Sequence, residues 1–132
     1  MRKECPTEAQ EQTWLFQWAA GMTQLRWPEL DLLHHIPNGG SRNRIEAARL
    51  KGQGVKAGIP DVCLPVPRGP YSGLYIEMKR KYGGTVSPEQ KVRINQLRMQ
   101  GYRVDVCHGF QDAADIIEAY MEGRLSDGQE IL

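Results

Sequence analysis

Two carboxylates and a lysine, Asp61, Glu77 and Lys79, interrupt a stretch of the sequence that is otherwise apolar. Asp61 ends the stretch GIPD, while Glu77 and Lys79 lie in the stretch LYIEMK. Because alternate residues of a strand point to the same face, Glu77 and Lys79 are expected to share one face. If the two segments form a hairpin, Asp61 at the start of the first strand approaches Glu77 on the second.

This pair of acids would suit a divalent metal ion. Two carboxylates held close together repel each other, and such pairs persist where a cation lies between them. Oxygen ligands with room for water are those that Mg²⁺ or Mn²⁺ prefers. Lys79 beside the ion could orient or deprotonate a water, or stabilise charge that develops on a phosphate. The alternative is a half-buried strand whose polar residues face solvent.

The first element that must position these residues is an N-terminal helix. Thr7 followed three residues later by Gln10 is a capping-box pattern that predicts where the helix begins. Gly21 is expected to end it. Apolar residues recur at helical spacing and predict its buried face: Trp14, Leu15, Trp18 and Ala19. The two tryptophans could stack on bases, but their spacing favours the core or a dimer interface.

Strands are predicted in the middle of the chain. Residues 32–37 predict a short strand, and a glycine-rich loop then leads to a short helix over RIEAARLKGQG. Residues 61–67 predict a strand that Pro65 and Pro67 interrupt, which indicates an edge strand or an early end. Turn residues in RGPYSG predict a hairpin to the strand 74–79.

The C-terminal part alternates helix and strand. Ser87 as N-cap, Pro88 at the first helical position and Gln90 two residues later predict a helix that ends before Gly101. A strand over 102–108 and a last helix over FQDAADIIEAYMEG follow. One face of that helix is apolar: Ala113, Ala114, Ile117, Tyr120 and Met121.

The order of elements predicts a fold class and a single domain. Helices and strands in this order indicate an α/β domain with a mixed sheet flanked by helices. We expect its core to span about residues 7–123, with a loose tail at 124–132. The length of 132 residues suits one domain with one core.

The composition is that of an ordinary soluble domain, with 40% hydrophobic and 25% charged residues. No apolar run approaches the roughly 18 residues of a membrane helix, and the N-terminus lacks the apolar region of a signal peptide. Three widely spaced cysteines, Cys5, Cys63 and Cys107, argue against a disulfide framework and favour a reducing compartment, so we expect a cytoplasmic protein. Cys63 and Cys107 lie in apolar runs, which predicts buried side chains.

The net charge of +1 conceals a basic middle and acidic ends. Residues 41–103 contain 13 lysines and arginines but 4 acidic residues. Such a surface can bind polyanions, although solvated helix faces give the same pattern. Candidate phosphate contacts flank the glycine-rich loop: Arg42, Arg44, Arg49, Lys51 and Lys56. His34 and His35 have no cysteine at zinc-ligand spacing, which favours a structural or surface role.

Three stretches together, GVKAGIPDVCLP, LYIEMKR and SPEQ, resemble the VRR-NUC domains, the virus-type replication–repair nucleases of the PD-(D/E)xK superfamily. The superfamily pattern of Pro-Asp, then a gap, then Glu-x-Lys matches Pro60-Asp61 and Glu77-Met78-Lys79. The family's first-helix acid and glutamine match EAQEQ, and its NGG loop matches Asn38-Gly39-Gly40. The resemblance extends over most of the chain, from about Glu8 to Tyr120.

The resemblance implies a fold and a metal site. It implies a restriction-endonuclease-like αβββαβ core, which agrees with the predicted order apart from one extra short helix. Asp61 and Glu77, with the backbone carbonyl of Met78, would hold Mg²⁺ or Mn²⁺. Lys79 would position the attacking water.

The resemblance also implies supporting catalytic roles for two other residues. Glu8 would add a carboxylate at the edge of the site and could join the metal, with Glu11 as the second choice for the helix acid. Gln90 would reach the site from a helix N-terminus, where backbone N–H groups also favour a phosphate. A capping role alone is the alternative for Gln90, and both roles coexist only if the cap does not occupy the whole side chain.

The implied activity is that of a Mg²⁺- or Mn²⁺-dependent endonuclease that hydrolyses phosphodiester bonds in DNA. No element for reading bases is visible, so recognition by DNA shape and phosphates is expected. Free-standing phage and bacterial members of this size resemble enzymes that resolve four-way (Holliday) junctions as symmetric homodimers. A flap or duplex nuclease, and a DNA-binding or assembly protein without catalysis, are the alternatives.

Overall fold

A four-stranded mixed β-sheet forms the centre of the computed structural model, which describes residues 5–37 and 43–126. In chain order the strands are β1 (His34–His35), β2 (Val62–Leu64), β3 (Leu74–Lys79) and β4 (Arg103–His108). The helices are α1 (Glu8–Leu25), α2 (Arg44–Gly52), α3 (Pro88–Met99) and α4 (Phe110–Met121), with a 3-10 helix at Pro28–Leu32. The predicted α/β class, with helices flanking a mixed sheet, is confirmed.

The sheet topology brings the two acids together. The strands lie in the order β1-β2-β3-β4, with β1–β2 and β2–β3 antiparallel and β3–β4 parallel. The parallel pair requires a crossover connection, which α3 provides. In the β2–β3 hairpin Val62 pairs with Ile76. The next residues outward, Asp61 and Glu77, therefore come to lie opposite each other at one end of the hairpin.

Helix α1 begins where the capping box predicts but continues further than expected. Thr7 accepts the N–H of Gln10 through its hydroxyl, and its own N–H donates to the Gln10 side chain at 2.9 Å. The prediction that Gly21 ends the helix is wrong, because α1 runs to Leu25. Met22 still packs against the core, and a glycine inside a helix costs only about 1 kcal/mol.

Two strands are shorter than predicted. The first is confined to His34–His35, because a 3-10 helix and its C-cap occupy the residues before it. Strand β2 ends just before Pro65, whose ring nitrogen cannot donate to a ladder. The alternative that this segment is an edge strand is wrong, because β2 lies between β1 and β3 and all its residues are buried.

The core lies where α1 and α4 pack against each other and the sheet. The predicted apolar face of α4 is confirmed by burial: Ala113, Ala114, Ile117, Tyr120 and Met121. Cys63 and Cys107 are buried as predicted. Trp18 packs against the core, whereas Trp14 is 42% exposed. Within the part of the chain that the structure describes, no helix is long and apolar enough to cross a membrane.

Candidate active site

One end of the β2–β3 hairpin opens into a cleft of about 920 Å³. Its walls are the start of α1, α2, the loop before β2, the end of β3 and the first turns of α3. Asp61, Glu77, Lys79 and Gln90 all line this cleft. Residues from three separate stretches of sequence therefore meet at one place.

Asp61 is fixed through both its backbone and its side chain. Its Oδ2 accepts the N–H of Met78 at 2.8 Å. Its backbone carbonyl accepts the N–H of Ile36 at 2.6 Å and lies 2.9 Å from Nδ1 of His35. In a strand the N–H and C=O of one residue point to the same side. The Met78 carbonyl therefore faces the side on which Asp61 lies.

Glu77 is a buried side chain, 3% exposed, and one of its two oxygens has no hydrogen-bond partner among the described residues. Its Oε2 accepts from Nε2 of Gln90 at 3.0 Å and lies 3.4 Å from Nζ of Lys79. Its Oε1 is buried without a hydrogen-bond partner among the described residues. Burial and the nearby charge of Asp61 raise the pKa of Glu77 to about 8, although Lys79 acts in the opposite direction. A cation bound at Oε1 would offset both the burial of this carboxylate and its repulsion by Asp61.

Gln90 connects the cap of α3 to the site. The Ser87 hydroxyl accepts the N–H of Gln90 at 3.2 Å, and the Ser87 N–H donates to Oε1 of Gln90 at 2.8 Å. The same Oε1 accepts from Nζ of Lys79 at 3.1 Å, while Nε2 donates to Glu77. The cap therefore uses only part of the side chain, and capping and contact with the site occur together.

The two candidate acids of α1 have different surroundings. Glu8 lines the cleft. Glu11 is buried, and its Oε1 accepts the N–H of Phe110, the first residue of α4, at 2.8 Å. A carboxylate is stabilising at a helix N-terminus. Glu11 thus has a structural partner, and Glu8 is the acid of α1 that faces the cleft.

The donor set fits a hard divalent cation held by few protein ligands. Between residues 5–37 and 43–126, no three His, Cys, Asp or Glu side chains gather closely enough to share an ion. Glu8 therefore lines the cleft without forming a three-acid cluster with Asp61 and Glu77. Two carboxylates and a backbone carbonyl would leave positions for water, which Mg²⁺ usually retains. The open Oε1 of Glu77 is the observation that favours a cation here.

The predicted phosphate contacts have different positions. Lys51 and Lys56 line the cleft. Arg49 is paired with Glu46 at 2.6 Å, so part of its charge is compensated. Arg44 begins α2 and is exposed outside the cleft. Arg42 and the NGG loop lie outside the described residues.

Sequence reasoning missed Arg93, which lines the cleft one helical turn beyond Gln90. Residues three apart on a helix are neighbours, so the spacing from Gln90 was the available signal. His34 and His35 are both exposed, in agreement with a structural or surface role. His35 nevertheless contacts the backbone of Asp61 and so helps to hold the loop that carries this acid.

Replacing Glu77 by glutamine should stabilise the metal-free protein. The substitution keeps the shape and the hydrogen bond to Gln90. Because burial and the charge of Asp61 raise the pKa of Glu77 to about 8, this carboxyl must take up a proton when the protein folds near neutral pH, and glutamine removes that cost. We expect a gain of about 1–3 kcal/mol in the free energy of unfolding near neutral pH. Urea unfolding in the presence of a chelator measures it. Added Mg²⁺ or Mn²⁺ should then stabilise the wild type but not the variant.

Glu89→Gln is the matched control, because Glu89 lines the same cleft but is exposed. This control should change stability by less than about 0.5 kcal/mol in chelator. A Glu77→Gln protein less stable than the wild type would contradict the interpretation of Glu77 as a strained carboxylate.

The fold and the site define a class of protein, an α/β domain with two acids and a lysine at the end of a β-hairpin. The model of the VRR-NUC domain matches residues 3–111, and the chain belongs to this family. A solved structure described as a VRR_NUC domain protein is 34% identical, with a TM-score of 0.78, over 90% of this chain and 91% of that one. No curated protein matches the chain.

Proposed function

We propose that this chain is a DNA endonuclease that uses Mg²⁺ or Mn²⁺ to hydrolyse phosphodiester bonds. The observation that supports this most directly is the buried carboxylate of Glu77, whose Oε1 has no hydrogen-bond partner among the described residues. Asp61 lies beside this carboxylate, and Oε2 of Glu77 lies 3.4 Å from Nζ of Lys79. Such a site suits a cation and a water next to a fixed positive charge. Membership of a nuclease domain family supports DNA as the substrate.

Asp61, Glu77 and the Met78 carbonyl would hold the ion, which when bound would supply a water of lowered pKa and a positive charge opposite the phosphate. Lys79 is held by Oε1 of Gln90 at 3.1 Å, so its ammonium is in place before substrate binds. From there it can hold the attacking water or a phosphate oxygen. Gln90 is the positioning residue, because it contacts both Lys79 and Glu77.

Glu8 has a separate role in the proposal, at the edge of the cleft. Its carboxylate lines the same cavity from α1. Because it forms no three-acid cluster with Asp61 and Glu77 among the described residues, it would accept a hydrogen bond from a water of the site rather than add a third carboxylate to the metal. The N-terminus of α3 forms the other wall and favours a phosphate through its N–H groups.

We extend the proposal to branched DNA, with a four-way junction as the preferred substrate and a homodimer as the active form. Lys51 and Lys56 in the cleft suit phosphate contacts, which position DNA without reading its sequence. A two-fold axis would place two identical sites on opposed strands.

A substrate panel tests this extension. Labelled four-way junction, flap, nicked and plain duplex DNA are incubated with the protein and Mg²⁺ or Mn²⁺, and light scattering gives the mass with and without junction. We expect paired symmetric cuts in the junction and the mass of two chains. Preferential cutting of flap or duplex, or a monomer mass, would overturn junction resolution by a dimer. Tight binding without any cutting would instead indicate a DNA-binding protein without catalysis.

A further inference from the structure

Arg93 lies in the cleft with its guanidinium oriented by neutral acceptors. Its Nε donates to the carbonyl of Ala57 at 3.2 Å, and its Nη1 donates to Oε1 of Gln96 at 3.1 Å. Arg93 forms no ion pair with an acid of the described residues. An arginine has five N–H donors, so these two bonds leave three for another partner.

The surroundings of Arg93 restrict its position. Ala57 belongs to the loop that leads to Asp61, and the next residue, Gly58, packs directly against the backbone of Glu89 and Gln90. The side chain is partly buried and tied to this loop at one end and to its own helix at the other. A guanidinium held in this way loses little entropy when it binds a planar or tetrahedral anion.

The other cations of the cleft have different positions. Lys79 lies beside Glu77, where the reaction is proposed to occur. Lys51 and Lys56 come from α2 and from the loop after it. Arg93 is thus the cation that α3 contributes to the cleft, one turn from the residue that positions Lys79.

We propose that Arg93 binds a backbone phosphate of the DNA strand that occupies the cleft, at a position other than the phosphate that is cut. The inference rests on the proposed function. The free donors of an arginine match two oxygens of a phosphate, and this bidentate pairing is stronger than a single neutral hydrogen bond. The contact fixes where the strand lies relative to Asp61 and Glu77 but carries no sequence information.

The test compares Arg93→Gln with Lys91→Gln in the full chain. Lys91 is an exposed cation on the same helix outside the cleft, so both variants lose one charge. Affinity for the DNA that the wild type cuts best is measured in chelator over a range of salt. Arg93→Gln should bind about tenfold more weakly. The slope of log K against log salt should become shallower by about 0.7–0.9 in Arg93→Gln. In Lys91→Gln both the affinity and the slope should stay close to those of the wild type.

Arg93→Lys separates phosphate binding from a purely structural tie to Ala57. It keeps the charge and should retain most of the salt slope, and both Arg93 variants should keep the wild-type melting temperature and Mn²⁺ affinity. Equal losses in Arg93→Gln and Lys91→Gln would overturn the inference. The inference would also be overturned if Arg93→Lys lost as much DNA affinity as Arg93→Gln and both variants had a lower melting temperature and weaker Mn²⁺ binding.

Failure of this inference and failure of the proposed function give different results. A wild type that binds and cuts DNA beside an Arg93→Gln variant that does both equally well would overturn only the phosphate contact. A wild type that binds no DNA at any salt concentration would overturn both.

Discussion

Replacing Lys79 by methionine should slow DNA cleavage by about 10²- to 10⁴-fold and leave the fold intact. Lys79 is 8% exposed, and methionine keeps an unbranched apolar chain in this largely buried position while removing the ammonium. That ammonium lies 3.1 Å from Oε1 of Gln90 and 3.4 Å from Oε2 of Glu77, at the proposed place of the water and the phosphate. Single-turnover cleavage of the preferred substrate measures the rate.

Lys81→Met is the control for the loss of charge, because Lys81 is exposed on the segment that follows β3. Lys81→Met should cut at nearly the wild-type rate. Lys79→Met should keep DNA affinity within a few-fold, since only one of several cations is lost. Cleavage by Lys79→Met at the wild-type rate would remove Lys79 from the reaction. A large loss of DNA binding with an unchanged rate would make it a binding contact instead.

Replacing Gly58 by alanine should disrupt the site from outside it. Gly58 has a φ of +86°, and a Cβ there would lie 2.5 Å from the carbonyl oxygen of Glu89 and 3.0 Å from the N of Gln90. These atoms belong to the first turn of α3 and cannot move without shifting the cap. The loop must therefore shift instead, and with it Asp61, three residues away. We expect at least a tenfold loss of metal affinity and about a 10²-fold loss of cleavage.

Gly54→Ala is the matched control for Gly58→Ala. Gly54 has a φ of +102°, but a Cβ there would meet nothing within 4 Å. It carries a comparable backbone strain, of about 1–3 kcal/mol, without the collision. Thermal melts should show that both variants lose stability. Calorimetric titration with Mn²⁺ should show that only Gly58→Ala also loses metal affinity. Equal metal affinity in the two variants would contradict a close fit between the Asp61 loop and α3.

Local signals in the sequence predicted most of the elements that form the site. The capping box at Ser87 and Gln90 is present as predicted, because a helix start depends on residues three positions apart. Strand β3 has the predicted bounds. The turn chemistry predicted the β2–β3 hairpin, and the hairpin alone places Asp61 opposite Glu77.

The features that the sequence did not predict depend on contacts between distant segments. α1 continues past Gly21, and Met22 beyond it packs against a core built from distant segments of the chain. The separate positions of Glu8 and Glu11 depend on where α4 begins, ninety-nine residues after Glu11. The position of Arg93 depends on a loop thirty-six residues earlier. No periodicity within one element contains this information.

The role of Gln90 shows how a capping signal and a functional signal can share one residue. Its spacing from Ser87 accounts fully for a capping box. Only the tertiary structure shows that the amide has contacts left for Lys79 and Glu77. A sequence pattern that already has a structural explanation therefore does not exclude a second role.

The most direct test of the central claim is the metal dependence of DNA cleavage by the wild type and by Glu77→Gln. Labelled branched DNA is incubated with each protein in Mg²⁺, in Mn²⁺ and in chelator. We expect cleavage by the wild type with either metal, none in chelator, and none by Glu77→Gln under any condition, although that variant is folded at least as stably. Cleavage by Glu77→Gln as efficient as that of the wild type, or cleavage by the wild type in chelator, would contradict it.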